Sequence, residues 1–325
     1  MPLCVKHKLV EDFETIKEFW AKYGEDLQPE AEKFKQKPEV IEQPDYLLYV
    51  SQREYATIDL CKGPVTRIGS DEATTCHIIV LHCPGTGKVS LAHIDGSKVG
   101  VGVKFMVEEM KKQCKDFSQH WPWAGFPQTD HLYVICNSLD LYMAGGFIDE
   151  RGISHDNTMK LLREFMKQDC QIELQLACVS EMNDVVREGN HWPVVSGVGV
   201  KMDGNSFHIY RATFPEKVPD ITLRGARLTV DMMMRRVYDT ETDRLIVGPY
   251  NFYEHMLKTD DDSRDLTDGE IRRGFSTSPL VERPEFVQMI KDHYKYLADH
   301  LKLQITPSLP IGYVMNHGKW IPCTN

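Results

Sequence analysis

Apolar residues recur along this chain with two different periods, and each stretch declares one or the other. Over residues 11–23, Phe13, Ile16, Phe19 and Trp20 fall at helical spacing, so a helix is predicted there. Val103, Met106, Val107, Met110 and Cys114 lie on one stripe and predict a second helix. Met159, Leu162, Phe165 and Met166 mark a third. A fourth starts near Pro284, which a first helical turn tolerates, and carries Phe286, Ile290, Tyr294, Leu297 and Leu301. Strands are predicted over residues 46–50, 77–82, 89–94, 131–136, 171–179, 194–202 and 206–212. In Ile172-Glu173-Leu174-Gln175-Leu176 apolar and polar residues alternate, as in a strand with one buried face. The order of elements is mixed, which predicts α+β layers rather than a doubly wound parallel sheet.

Between these elements, residues 28–44 are charged and broken by Pro29, Pro38 and Pro44, and read as a linking segment. Trp121-Pro122-Trp123-Ala124-Gly125-Phe126-Pro127 and the acidic stretch 258–268 read as exposed loops. The acidic stretch lacks the glycine and terminal glutamate of a calcium loop.

Composition narrows the possible partners. A formal net charge of −10 over 325 residues leaves no basic surplus to replace counterions, so no nucleic-acid partner is expected. No run approaches the roughly 18 apolar residues of a spanning helix, and no membrane partner is expected. The opening Met1-Pro2-Leu3-Cys4-Val5-Lys6 lacks the apolar core of a signal peptide. Nine cysteines, an odd number scattered through apolar runs, suit a reducing compartment. A cytoplasmic protein is expected, with the nucleus as the alternative.

The chemistry concentrates at Ile68-Gly69-Ser70-Asp71-Glu72-Ala73-Thr74-Thr75-Cys76-His77-Ile78-Ile79-Val80. A polar loop runs into an apolar strand with a cysteine at the junction. There a thiol can be held rigidly while loop N–H groups face its sulfur, the ingredients of an activated thiolate with an oxyanion hole. A thiol near its free pKa needs a base, and His93 ends the next predicted strand. A hairpin about Pro84-Gly85-Thr86-Gly87 brings Cys76 and His93 to the same open end. His77 is the poorer base, because adjacent strand residues point to opposite faces. The bland alternatives are a buried cysteine acting as a small hydrophobe and a histidine used structurally. A Cys76/His77/Cys83/His93 metal site is a further reading, but its spacing matches no paired-cysteine zinc pattern.

These residues resemble the protein N-terminal asparagine amidohydrolase family. The resemblance rests on Gly69-Ser70-Asp71-Glu72-Ala73-Thr74-Thr75-Cys76-His77, Leu47-Leu48-Tyr49-Val50, Gly145-Gly146-Phe147 and Glu181-Met182-Asn183-Asp184. It continues in Ile209-Tyr210-Arg211-Ala212, Gly248-Pro249-Tyr250, Ser276-Thr277-Ser278-Pro279 and the opening Met1-Pro2-Leu3. Residues 28–44, 119–130 and 251–273 read as insertions. The resemblance implies a single domain over residues 1–325, with its core at about 45–302 and a helical N-terminal segment at 11–23. The family is in turn similar to bacterial glutamine deamidases, the chemotaxis-receptor deamidase and the catalytic domain of necrotizing toxins. That likeness implies a β-sandwich core of two mixed sheets flanked by helices.

By the same resemblance Cys76 is the nucleophile, His93 the base and acid, and Ser70 the orienting third group, with Thr74 or a backbone carbonyl as rivals for that role. The reaction implied converts an N-terminal asparagine to aspartate, releases ammonia through a thioester, and marks the protein for N-degron degradation. Backbone N–H groups around Thr75 and Cys76 are expected to hold the oxyanion. A carboxylate must meet the substrate's α-ammonium; Glu181 is the candidate, with Asp184 and Asp71 as rivals. The processed N-terminus at Pro2 is expected either near the active site or frayed. Partners are proteins or peptides starting with asparagine, no cofactor or metal is implied, and a monomer is expected. A deamidase of internal glutamine side chains and a non-catalytic binder of protein N-termini are the rival functions.

Overall fold

A computed structural model describes residues 3–114, 138–229, 231–250, 266–302 and 309–323. The predicted strand 131–136, the loop at 121–127 and most of the acidic stretch 258–268 lie outside these residues. The chain opens with β1 (Leu3–Val5) and β2 (Lys8–Leu9), then helix α1 (Ile16–Gln36). Next come β3 (Val40–Ile41), β4 (Leu47–Tyr49), β5 (Glu54–Asp59), β6 (Arg67–Ser70), β7 (His77–His82), β8 (Lys88–Ile94) and α2 (Val99–Cys114). The middle of the chain supplies β9 (Ser138–Gly145), α3 (Ile153–Met166), β10 (Gln171–Val179), β11 (Asp184–Arg187), β12 (Asn190–Pro193), β13 (Val198–Asp203) and β14 (Ser206–Thr213). It ends with α4 (Ile221–Ala226), β15 (Arg235–Arg236), β16 (Tyr238–Asp239), β17 (Arg244–Val247), α5 (Asp268–Phe275), α6 (Phe286–Lys302), β18 (Ile311–Asn316) and β19 (Lys319–Pro322).

Eight strands form a mixed sheet in the order β15-β5-β8-β7-β9-β10-β1-β2, and five form a second mixed sheet, β3-β14-β13-β6-β4. Two apolar clusters show how the layers stack. Ile79, Leu81, Ala92 and Ile94 of the large sheet join residues of α1, α2 and α3 in one cluster. Ile78, Val80, Val89 and Leu91, the alternate residues of the same strands, join Ile68, Val198 and Val200 of the smaller sheet in the other. The large sheet is therefore buried on both faces, by helices on one side and by a second sheet on the other. The α+β class read from the sequence is borne out.

Helix α1 departs from expectation. It starts later than predicted, with Thr15 capping the Glu18 N–H, and it runs through Pro29 into the stretch read as a linker. Pro29 costs one backbone hydrogen bond, but Tyr23, Leu27, Ala31 and Phe34 form a continuous buried stripe across it. Tyr23 and Leu27 enter the helix-side core, and Ala31 and Phe34 the inter-sheet core, so burial outweighs the proline. The helix ends at Lys37, the residue before Pro38, as a pre-proline position requires. Strand β9 escaped the pattern reading, although Leu139, Leu141 and Met143 alternate into the helix-side core.

A buried charge cluster ties the two halves of the chain together. Glu54, Arg224 and Arg227 have no solvent exposure. Arg224 Nη2 reaches Glu54 Oε2 at 2.5 Å and the Tyr49 carbonyl at 2.7 Å. Arg227 Nη2 donates to the carbonyls of Gln52 and Arg53 at 3.0 and 2.9 Å. Burial pushes the Glu54 carboxyl up, but the two guanidiniums outweigh it and hold its pKa below the usual value. Removing this shared anion with Glu54→Ala is expected to cost about 3–5 kcal/mol, because two buried cations lose their partner. The urea unfolding midpoint checks this; an unshifted midpoint would show that the cluster does not hold the fold.

Candidate active site

Strand pleating decides which side chains of the β7–β8 hairpin meet. The register pairs His77 with Ile94 and Ile78 with His93. His77 falls on the helix side, where its Nε2 lies 2.8 Å from Thr158 Oγ1, which in turn lies 2.9 Å from Ser180 Oγ. Cys76, two residues before Ile78, packs against the inter-sheet core. His93 is on that same face, and its Nδ1 lies 2.9 Å from the Oγ of Ser70, across the core on the smaller sheet. The structure thus brings Cys76, His93 and Ser70 to one side and sends His77 to the other. Cys83 also faces the helix-side core, so the four-residue metal set does not converge. Among the described residues no cluster of three or more His, Cys, Asp or Glu side chains has metal-site geometry.

The backbone at Cys76 is shaped by residues distant in sequence. Gly145 has φ +103°, and a Cβ there would stand 2.6 Å from the Cys76 carbonyl oxygen. A side chain at this position is excluded both by conformation and by contact. The Gly145-Gly146 turn is held by Asn183, whose Nδ2 donates to the carbonyls of Gly146 and Val195 at 2.7 and 2.8 Å. The Thr75 carbonyl accepts from Asn157 Nδ2 at 3.3 Å. Among the described residues, the N–H groups of Thr75 and Cys76 have no acceptor.

His93 is buried, and its Nε2 has no hydrogen-bond partner. Burial lowers its pKa to about 4, against the pull of Asp95 and Glu72. Cys76 is partly exposed, yet burial and then the charges of Asp95 and Glu282 push its thiol well above the ordinary value. Both shifts favour the neutral forms, a protonated Cys76 thiol and an uncharged His93 imidazole. Burial and two carboxylates thus work against the activated thiolate expected from the loop's N–H groups.

Of the residues expected to bind substrate, Thr75 is adjacent to Cys76, but its Oγ1 lies 2.6 Å from Thr277 Oγ1, leaving its N–H as the available group. Asp71 is buried and saturated: Oδ1 accepts from Tyr49 Oη at 2.9 Å and Lys217 Nζ at 3.1 Å, and Oδ2 from the Phe214 N–H at 2.8 Å. Glu181 turns to the helix side, where its Oε1 lies 2.8 Å from His155 Nε2 of α3. Asp184 takes the Ile148 N–H at 3.1 Å and His191 at 2.6 Å. None of these three carboxylates is free beside Cys76. Pro2 lies outside the described residues, but Leu3 pairs with Ile172 at the start of β10. Val179, at the end of β10, is the residue aligned with Gly145 and His77. At about 3.3 Å per residue, Leu3 is on the order of 20 Å from Cys76.

Sequence reasoning missed four residues. Arg53 and Gln52 hold Asp95 below His93, with Arg53 Nε 2.5 Å and Gln52 Nε2 2.9 Å from Asp95 Oδ2. Glu282 carries no local signal at all. Thr277 lies in Ser276-Thr277-Ser278-Pro279, a stretch legible as a turn but not as a neighbour of Cys76.

Two outcomes follow from the neutral pair. Alkylation of Cys76 by iodoacetamide in the unliganded protein should be slow at neutral pH and accelerate only above pH 9, the ordinary value for a thiol; a fast, pH-independent reaction near neutrality would contradict it. Unfolded histidines take a proton near 6.5, whereas burial lowers His77 to about 3 and His93 and His293 to about 4. Stability should therefore be level above pH 6.5 and fall from there towards about 4, each histidine contributing at most about 1.4 kcal/mol per pH unit. Urea titrations across this window, with His293→Leu flattening the slope, check it.

Comparison with known proteins agrees with the geometry. A family model described as protein N-terminal asparagine amidohydrolase matches residues 37–123 and 124–322. The Homo sapiens protein of that name is 36% identical over 259 residues, covering 79% of this chain and 76% of that protein. The Mus musculus protein is equally similar, at 36%, and the Arabidopsis thaliana protein is 26% identical over 268 residues, 78% of this chain and 73% of its own length. The two-sheet scaffold around Cys76, His93 and Ser70 thus belongs to a member of the protein N-terminal asparagine amidohydrolase family.

Proposed function

We propose that this protein deamidates N-terminal asparagine in proteins and peptides, using Cys76 as nucleophile and His93 as base. The observation that carries the reading is the unpartnered, buried His93 Nε2 on the face shared with Cys76, while Nδ1 is held by Ser70. With Nδ1–H donating to Ser70, Nε2 keeps the lone pair that accepts the thiol proton. The sulfur then bonds to the side-chain carboxamide carbon, and the N–H groups of Thr75 and Cys76 receive the oxyanion; one such donor typically contributes about 3 kcal/mol. His93 returns the proton to the departing nitrogen, ammonia leaves, and a thioester remains. Water, losing a proton to His93, attacks the thioester carbon; the carbon–sulfur bond breaks and the thiol is re-protonated. The product is an N-terminal aspartate, the form that enters the N-degron route. The sandwich of two sheets is also the arrangement implied by the likeness to bacterial glutamine deamidases.

The test is ammonia release from a peptide starting with asparagine, beside a peptide carrying an internal glutamine. Ammonia from the first alone is expected, with Cys76→Ala slowing it by about 10⁴-fold or more and Ser70→Ala by roughly 10²-fold. Release from the internal glutamine peptide alone would replace this reading with that of a side-chain deamidase.

A further inference from the structure

Selecting a protein N-terminus requires an anion for the α-ammonium, and the structure removes most candidates. Asp71 and Asp184 are committed as described above, and Glu181 is paired with His155 on the helix side, although its Oε2 is buried without a partner. Glu72 pairs with Lys217 at 2.5 Å. Asp95 is taken by Arg53, Gln52 and the Ser97 N–H, the last at 2.9 Å. Glu282 differs in having no ion-pair partner among the described residues; one oxygen accepts from Ser276 Oγ.

Its position is built rather than incidental. The turn before Glu282 docks beside the nucleophile through the contact of Thr277 Oγ1 with Thr75 Oγ1, 2.6 Å apart. Ser276 Oγ accepts the Ser278 N–H at 2.9 Å, and Arg272 of α5 clamps the Glu282 and Arg283 carbonyls at 3.1 and 3.3 Å. Ser278 Oγ, in the same turn, is buried without a partner, an open polar group facing no protein acceptor or donor. The charge of Glu282 is one of those that oppose ionisation of the Cys76 thiol.

Resting on the reaction proposed above, we propose that Glu282 receives the α-ammonium of the substrate's first residue, so that recognition of the N-terminus and activation of Cys76 are one event. An ammonium placed on Glu282 cancels a negative charge beside the sulfur and eases proton transfer to His93. An asparagine inside a chain brings no ammonium, so Glu282, whose carboxyl burial and Glu72 push up, gains no counter-charge and the thiol keeps its proton. The product gains a carboxylate among Glu282, Asp95 and Glu72, and like-charge repulsion favours its departure.

Binding separates this from the reaction itself. In the Cys76→Ala protein, calorimetry with an asparagine-starting peptide should show the free amine binding at least about 30-fold tighter than its N-acetylated form. Adding Glu282→Gln should shrink that ratio to about 3-fold or less, whereas Glu181→Gln should leave it intact. In the otherwise unaltered enzyme, Glu282→Asp should restore part of the discrimination and Glu282→Gln should speed iodoacetamide labelling of Cys76 at pH 8 by about 3-fold or more. A ratio unchanged by Glu282→Gln, or one abolished by Glu181→Gln, overturns the assignment. Discrimination in binding without ammonia release from the active enzyme would sink the proposed reaction and leave Glu282 as the amine anchor.

Discussion

Everything at this site leans on a carboxylate that never meets water. Glu54 faces His93 directly in the β5–β8 pairing. The guanidiniums of Arg224 and Arg227 reach past it to the carbonyls of Tyr49, Gln52 and Arg53, while the Ser51 N–H donates to Glu54 at 2.8 Å. Burying three charges is tolerable only when nearly every donor and lone pair is used, so the turn between β4 and β5 has little freedom. From that turn the Arg53 N–H donates to the His93 carbonyl at 2.9 Å, and the Arg53 side chain holds Asp95. Arg224 and Arg227, more than 130 residues beyond His93, thus set the backbone on which His93 is mounted.

Onto this frame the Ser70–His93 hydrogen bond adds a polar link between two otherwise apolar sheet faces. Such a link is costly to leave half-made, and it fixes both the ring and its tautomer. The same burial favours the neutral imidazole and the protonated thiol. Electrostatics at rest and chemistry in the complex are separate problems here, and the second needs the substrate's own charge or polarity to be solved.

The stretches that carry the family resemblance do unequal work. Gly145 and Gly146 make room for the Cys76 carbonyl and the His77 ring. Asn183 ties that turn, Arg211 caps the end of α1 by donating to the carbonyls of Lys35 and Lys37, and Tyr250 lies over Arg227. The chemistry proposed for this site rests on Ser70, Cys76 and His93, and these other stretches hold the backbone around them. In Glu181-Met182-Asn183-Asp184, a motif read as chemical, the acids contact His155 and His191 and the asparagine holds backbone carbonyls.

What the amino-acid sequence determined by itself is local. The hairpin about Pro84–Gly87, the strip along α2 and the opposite facing of Cys76 and His77 follow from turn chemistry and from periods of two and 3.6, which need no distant partner. The length of α1 did not, since only the two cores it bridges make a helix through Pro29 favourable. The tertiary structure alone decided which carboxylates have an ion-pair partner, because each choice rests on a residue far away in sequence: His155 for Glu181, Lys217 for Asp71, Thr75 for the turn that presents Glu282. It likewise decided the protonation of Cys76 and His93, for burial and neighbouring charge are properties of the packed layers, and no residue carries them in its own name.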